Sequence, residues 1–107
     1  MSSTVNGSTI TLTRGDSFIS DLTIFDTFGE IYVPASEEIV RFKMRKYKTD
    51  RDPILTIDIP IEEVLRLELK PNQTVNLPLG HYVYDILLIK KNGDIDTFIP
   101  DGEILIQ

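Results

Sequence analysis

The chain has 107 residues, of which 41% are hydrophobic, and carries a net charge of −6. That is one domain's worth of chain with a globular apolar share, so a single folded domain over residues 1–107 is expected rather than disorder. The acidic balance argues against a nucleic-acid or anionic-membrane partner, which calls for a basic surface. With no cysteine, disulfide scaffolds, thiol catalysis and zinc-thiolate sites are excluded.

No apolar run reaches the ~18 residues of a membrane helix. Met1-Ser2-Ser3-Thr4 lacks the charged start and apolar core of a secretory leader. Synthesis in a cytoplasm is therefore expected, a particle assembled there included.

Period-two alternation runs from end to end and predicts strands. The first spans Ser8 to Thr13, with Ile10 and Leu12 on one face and three threonines on the other, as suits an edge strand facing water. Arg14-Gly15-Asp16 ends it as a turn. The second covers Phe18 to Asp26, with Phe18, Leu22 and Ile24 inward, and a turn follows through Gly29. Glu30 to Ser36 reads as irregular around Pro34, anchored by Ile31 and Val33. A third strand, Ile39 to Lys46, alternates Val40, Phe42 and Met44 with Arg41, Lys43 and Arg45. After a charged loop over Lys48 to Pro53, a fourth strand places Leu55, Ile57 and Ile59 on one face. Pro60 to Glu63 fits one helical turn or a loop, and a fifth strand follows with Leu65, Leu67 and Leu69 inward.

Pro71-Asn72-Gln73-Thr74 reads as a turn whose polar side chains bond local backbone. The sixth strand, Tyr82 to Lys90, carries Tyr82, Tyr84, Ile86 and Leu88 on one face and Val83, Leu87 and Ile89 on the other, interrupted only by Asp85. Such two-sided apolarity predicts a central strand. Asn92-Gly93 is a hairpin signal that fits a two-residue turn with both residues at positive φ. The last strand runs from Ile95 to Gln107, with a bulge or bend at Pro100-Asp101-Gly102. About seven short strands with no ten-residue helix predict an all-β sandwich.

Leu77-Pro78-Leu79-Gly80-His81-Tyr82-Val83-Tyr84-Asp85-Ile86 resembles the Leu-Pro-x-Gly-x-Tyr-x-Tyr-Asp-Ile signature of small phage immunoglobulin-like domains. The named family it is most similar to is the N-terminal domain of the baseplate upper protein of phages infecting Gram-positive bacteria. Three further stretches match in order: Thr9 to Phe18, Val40 to Lys46, and Leu67 to Thr74. The resemblance spans nearly the whole chain. It implies an immunoglobulin-like β-sandwich located in the virion, in baseplate, tail or head, and it carries over no catalytic residue. Members often continue into longer tail or fibre regions. A stand-alone virion protein and a piece of a longer one both stay open.

The signature also has a purely physical reading. Gly80 permits a close approach or an unusual backbone angle before the strand. Tyr82 or Tyr84 can bury its ring and send its hydroxyl to a backbone carbonyl across the sandwich end, the logic of a tyrosine corner.

Candidate chemistry is sparse. Arg14-Gly15-Asp16 spells an integrin-binding tripeptide, but short motifs match by chance, and a strand-ending turn with Gly15 at a special backbone angle is the reading adopted. Six of the eleven Lys and Arg residues fall between Arg41 and Arg51. Arg41, Lys43 and Arg45 share an outer face there, either paired with acids such as Asp58 or Glu68 or acting as an electrostatic dock for an acidic partner surface or for DNA. His81, the one histidine, lacks a nucleophile and an orienting group for a triad. The carboxylate pairs Asp50/Asp52, Glu62/Glu63 and Asp94/Asp96 do not match EF-hand spacing. Neither a phosphate loop nor a hydrolase motif is present. No cofactor is implied, and a non-enzymatic chain is expected.

The best hint of binding is surplus apolar surface: Ile19 and Phe25 opposite the inward face of the second strand, and Val83, Leu87 and Ile89 opposite the tyrosines. Both sets together pave one exposed sheet in this reading. The expected function is a phage virion structural module that docks onto other virion proteins, a second copy of itself included, assembled in the host cytoplasm. The alternative is a carbohydrate- or receptor-binding sandwich, with Tyr32 and Tyr47 as loop aromatics and the absence of tryptophan against it.

Overall fold

A computed structural model describes the backbone of residues 4–6, 9–25, 28–62 and 64–107, and the side chains of these except at 4–6, 25 and 98–101. In chain order the elements are β1 (Thr4–Asn6), β2 (Thr9–Leu12), β3 (Phe18–Leu22), β4 (Ile24–Phe25), β5 (Ile31–Tyr32), β6 (Ile39–Arg45), β7 (Leu55–Ile59), β8 (Leu65–Leu69), the helical turn α1 (Pro71–Thr74), β9 (Gly80–Ile89) and β10 (Ile95–Ile106). The chain is all-β, built as a mixed six-stranded sheet in the order β1-β2-β10-β9-β6-β7 with a second sheet, β3-β8, and a short β4-β5 pair.

Alternation decides which side chains fill the core. Val40, Phe42 and Met44 of β6 are each 0% exposed, and they pack with Tyr82, Tyr84, Ile86 and Leu88 of β9 and with Leu65, Leu67 and Leu69 of β8. The Phe42 and Tyr84 rings lie 5.5 Å apart, tilted by 31°. As its two apolar faces predict, β9 is interior, with β6 on one side and β10 on the other. The expected irregularity in the last strand is present as register shifts between Thr97 and Ile99 and between Ile99 and Gly102.

Four expectations are corrected. β2 is not an edge strand: it pairs antiparallel with β1 and parallel with β10, so its threonine face is half-covered. Ile31 and Val33 do not anchor their segment, being 68% and 60% exposed. The β4-β5 register turns Tyr32 inward instead, where it packs on the core and its hydroxyl reaches Glu38. The Asn92-Gly93 hairpin is not a two-residue turn. Gly93 N–H donates to Lys90 O at 2.9 Å and Lys90 N–H to Asp94 O at 2.8 Å, closing a three-residue loop in which Gly93 takes φ +92°. Pro71–Thr74 coils into one helical turn rather than a plain turn, while its polar side chain bonds local backbone as expected, Lys70 N–H donating to Gln73 Oε1 at 2.7 Å.

The tyrosine corner is Tyr82, whose hydroxyl donates to Pro78 O, four residues upstream, at 2.5 Å. Gly80 takes φ +132°, a backbone angle that L side chains rarely adopt, whereas a Cβ there would meet the Lys46 ammonium at an ordinary contact distance of 3.5 Å. That ammonium donates to His81 O at 3.0 Å and sits 4.4 Å from the centre of the Tyr82 ring, tying the end of β6 to the start of β9. Arg14-Gly15-Asp16 is a pinned turn: Gly15 N–H donates to the Oγ1 of the fully buried Thr74 at 3.1 Å, and Arg14 N–H to Gln107 O.

Candidate interaction face

The outer face of the six-stranded sheet is the side where β9 turns Val83, Asp85, Leu87 and Ile89 away from the core. Register places these residues in rows that cross the strands. Ile39, Ile89 and Ile95 form one row, on β6, β9 and β10. The next row holds Asp58, Arg41, Leu87 and Thr97, then Thr56, Lys43 and Asp85, and last Arg45, Val83 and Glu103.

The first row is apolar and only partly covered, with Ile39 37% and Ile95 61% exposed, whereas Leu87 behind it is 8% exposed. The remaining rows are charged, and their charges meet within the face. Arg41 grips Asp58 in a two-pronged contact, Nε to Oδ1 at 2.7 Å and Nη2 to Oδ2 at 3.2 Å. This hydrogen bond raises the Arg41 pKa and holds the Asp58 carboxyl below its ordinary value. Arg45 Nη2 donates to Asp85 Oδ2 at 2.7 Å, with both side chains under one-fifth exposed. Arg45 Nη1 also reaches Lys48 O and Asp50 O, which fastens the following loop to the face. Half-buried Lys43 stands opposite Asp85 and Thr56.

Arg41, Lys43 and Arg45 do share one outer face, but the arginines there are neutralised by neighbouring carboxylates. Desolvating the Arg41–Asp58 pair, which already holds two hydrogen bonds, leaves no lone charge behind, so that part of the face can be covered at less cost than a bare basic stripe. Glu68, the other expected partner of the row, lies on the opposite sheet, across from Ile19.

The two apolar sets do not pave one sheet. Val83, Leu87 and Ile89 belong to the large sheet, whereas Ile19 lies on the outer face of the small one, 60% exposed among Asp21, Arg66 and Glu68. The side chain of Phe25 lies outside the described residues. Ile39 and Ile95 were missed as members of the face. Their signal was parity: Ile39 is out of phase with Val40, Phe42 and Met44, and a three-residue hairpin loop puts Ile95 opposite Ile89.

Other titratable groups serve the frame. Tyr32 Oη donates to Glu38 Oε1 at 2.5 Å, and Ala35 N–H donates to the same oxygen at 2.7 Å. The two bonds lower the Glu38 pKa, and the Glu38 bond in turn raises that of Tyr32. Burial raises the pKa of Tyr84 and, against the pull of Arg14, of Tyr82. His81 is exposed on β9. Among the described residues no group of three or more His, Asp or Glu side chains is placed to hold a metal ion, and no helix is long and apolar enough to cross a membrane.

Compared with known proteins, the chain matches no family model, no curated protein and no solved structure.

Proposed function

We propose that this chain is a non-enzymatic structural module of a phage virion, an immunoglobulin-like sandwich that docks onto neighbouring virion proteins through the outer face of its large sheet. The observation that carries the docking role is the row Ile39, Ile89 and Ile95, an apolar strip across three strands beside charges that are already paired. An apolar strip beside ion-paired polar groups is the anatomy of a protein interface, with a dry centre and a polar rim. The immunoglobulin-like assignment is supported by the parallel β2-β10 pairing, the central β9 and the Tyr82 corner that follows a helical turn between β8 and β9. The virion assignment rests on the sequence resemblance.

The test is mass spectrometry of purified particles of the phage that encodes the chain, with amine cross-linking. The chain is expected in stoichiometric amounts, with Lys43, which lies on the same face two rows from the strip, cross-linked to a neighbouring virion protein. Particles that lack the chain refute the virion role. Cross-links confined to the β3-β8 face refute the docking face.

A further inference from the structure

At the tip of the β9-β10 hairpin, Asn92 joins an uncovered neighbour to a fastened side chain. Of the four asparagines, Asn6 and Asn92 precede glycine, whereas Asn72 and Asn76 precede Gln73 and Leu77. Glycine has no Cβ, so its backbone nitrogen is open to approach by the side chain before it. Gly7 lies outside the described residues. Asn92 and Gly93 are both exposed, and a Cβ built on Gly93 meets nothing within 4 Å, so water reaches the pair.

The reaction open to such a pair is loss of the side-chain amide. The Gly93 nitrogen gives its proton to solvent base and bonds to Asn92 Cγ. The Cγ–Nδ2 bond then breaks, and Nδ2 leaves as ammonia with a proton from water. The product is a five-membered succinimide, which water opens. Addition at Cγ breaks the Cγ–N bond and leaves an ordinary aspartate. Addition at the main-chain carbonyl breaks the original peptide bond and leaves isoaspartate, with the chain running through Cγ. In sum, an amide and water become a carboxylate and ammonium, which adds one negative charge to the −6 of the chain.

The turn holds the reacting groups off this course. The Gly93 N–H donates to Lys90 O at 2.9 Å, so the proton that must leave is already engaged. Asn92 Oδ1 accepts the Asp94 N–H at 3.0 Å, and Nδ2 donates to Asp94 Oδ2 at 3.2 Å. The carboxamide is thus fastened at both ends to the residue beyond Gly93. Attack at Cγ requires the Gly93 N–H to leave Lys90 O, and departure of Nδ2 requires its bond to Asp94 to break.

We infer that Asn92 is a deamidation site gated by its own hairpin: the reaction runs when the 90–94 loop opens, and Asp94 is the positioning residue that latches the loop against it. Local opening of an exposed hairpin is far less costly than global unfolding, so the folded chain reacts at a rate set by that opening. A net hydrogen bond shifts such an equilibrium by roughly two- to tenfold, and the two bonds that must break set the slowing at on the order of tenfold. The product cannot rebuild the latch, because a carboxylate at position 92 has no N–H to offer Asp94 Oδ2. None of this depends on where the chain assembles.

The test incubates the wild type, Asp94→Ala and Asp94→Asn at mildly alkaline pH, folded in buffer and unfolded in guanidinium chloride. Asn92 is followed by mass spectrometry of tryptic peptides, since cleavage after Arg14 and after Lys91 puts Asn6 and Asn92 on separate peptides. Unfolded, all three chains are expected to convert Asn92 to aspartate and isoaspartate at one rate. Folded, the wild type is expected to be at least about tenfold slower, and Asp94→Ala to regain roughly threefold of that. Asp94→Asn keeps an acceptor for Nδ2 and is expected to stay near the wild-type rate. Position 94 is exposed, and melting curves confirm that the variants fold. An Asn92 that stays intact in the unfolded chain overturns the site. A folded rate within about twofold of the unfolded one, or an Asp94→Ala chain no faster than wild type when folded, overturns the gate.

Discussion

Replacing Tyr32 with phenylalanine tests how the segment between β5 and β6 is held. The substitution keeps the ring that packs on the core and deletes one hydroxyl, the donor to Glu38 Oε1. Glu38 is 9% exposed and keeps only the Ala35 N–H, so the carboxylate loses one of two charge-assisted bonds where water hardly reaches. A hydrogen bond to a charged group contributes about 1.5–3 kcal/mol, which sets the expected loss at roughly 2 kcal/mol at neutral pH. In a domain of this size that lowers the melting temperature by on the order of 10 °C.

The pH dependence is specific. Glu38 has its pKa depressed below its ordinary 4.5 by the Tyr32 bond first and the Ala35 bond second, so its contribution is full above 4.5 and lost as pH falls through the folded value. Tyr32 has its pKa raised above its ordinary 10.0 by the Glu38 bond first, so its contribution is full below 10.0 and lost as pH rises through the folded value. The difference between wild type and Tyr32→Phe, measured by urea unfolding across pH, is expected to be level between these limits and to shrink on both sides. A difference under about 0.5 kcal/mol at neutral pH, or one that grows on acidification, refutes the reasoning.

Two further substitutions probe the end that carries Gly80. Thr74→Val keeps the shape of a fully buried side chain but leaves the Gly15 N–H without its acceptor, and is expected to cost about 1–3 kcal/mol in urea unfolding, with Thr74→Ser recovering most of it. Tyr82→Phe removes the hydroxyl bond to Pro78 O while keeping the buried ring under Lys46, and is expected to cost about 1 kcal/mol by thermal melting.

Period-two alternation placed the longer strands and most of the core, but it joined β3 and β4 into one strand and did not find β1 or β5. Val40, Phe42 and Met44, Leu65, Leu67 and Leu69, and Tyr82, Tyr84, Ile86 and Leu88 point inward because a strand sends alternate side chains to opposite faces whatever lies around it. Two-sided apolarity also marked β9 as interior, since a strand with neither face in water must be flanked. Which strands would meet was not legible in the same way. Pairing joins residues far apart in sequence, as in the parallel β2-β10 contact that removed the expected edge, and local patterning does not encode it. The same distance effect governs the interaction face. Alternation put Arg41 and Arg45 on one face and offered Asp58 or Glu68 as partners; the fold pairs Arg41 with Asp58 as expected, and β9 supplies Asp85 to Arg45, which local patterning did not name, each at 2.7 Å. Val83 and Ile19, both out of phase with their inward neighbours, are assigned to different sheets only by the fold. One hairpin residue decided the rest: the positive φ of Gly93 closes a three-residue loop, and that register alone sets Ile95 beside Ile89 and completes the apolar row. Local chemistry determines strand, face and turn, whereas neighbours, charge balance and surface arise from long-range pairing.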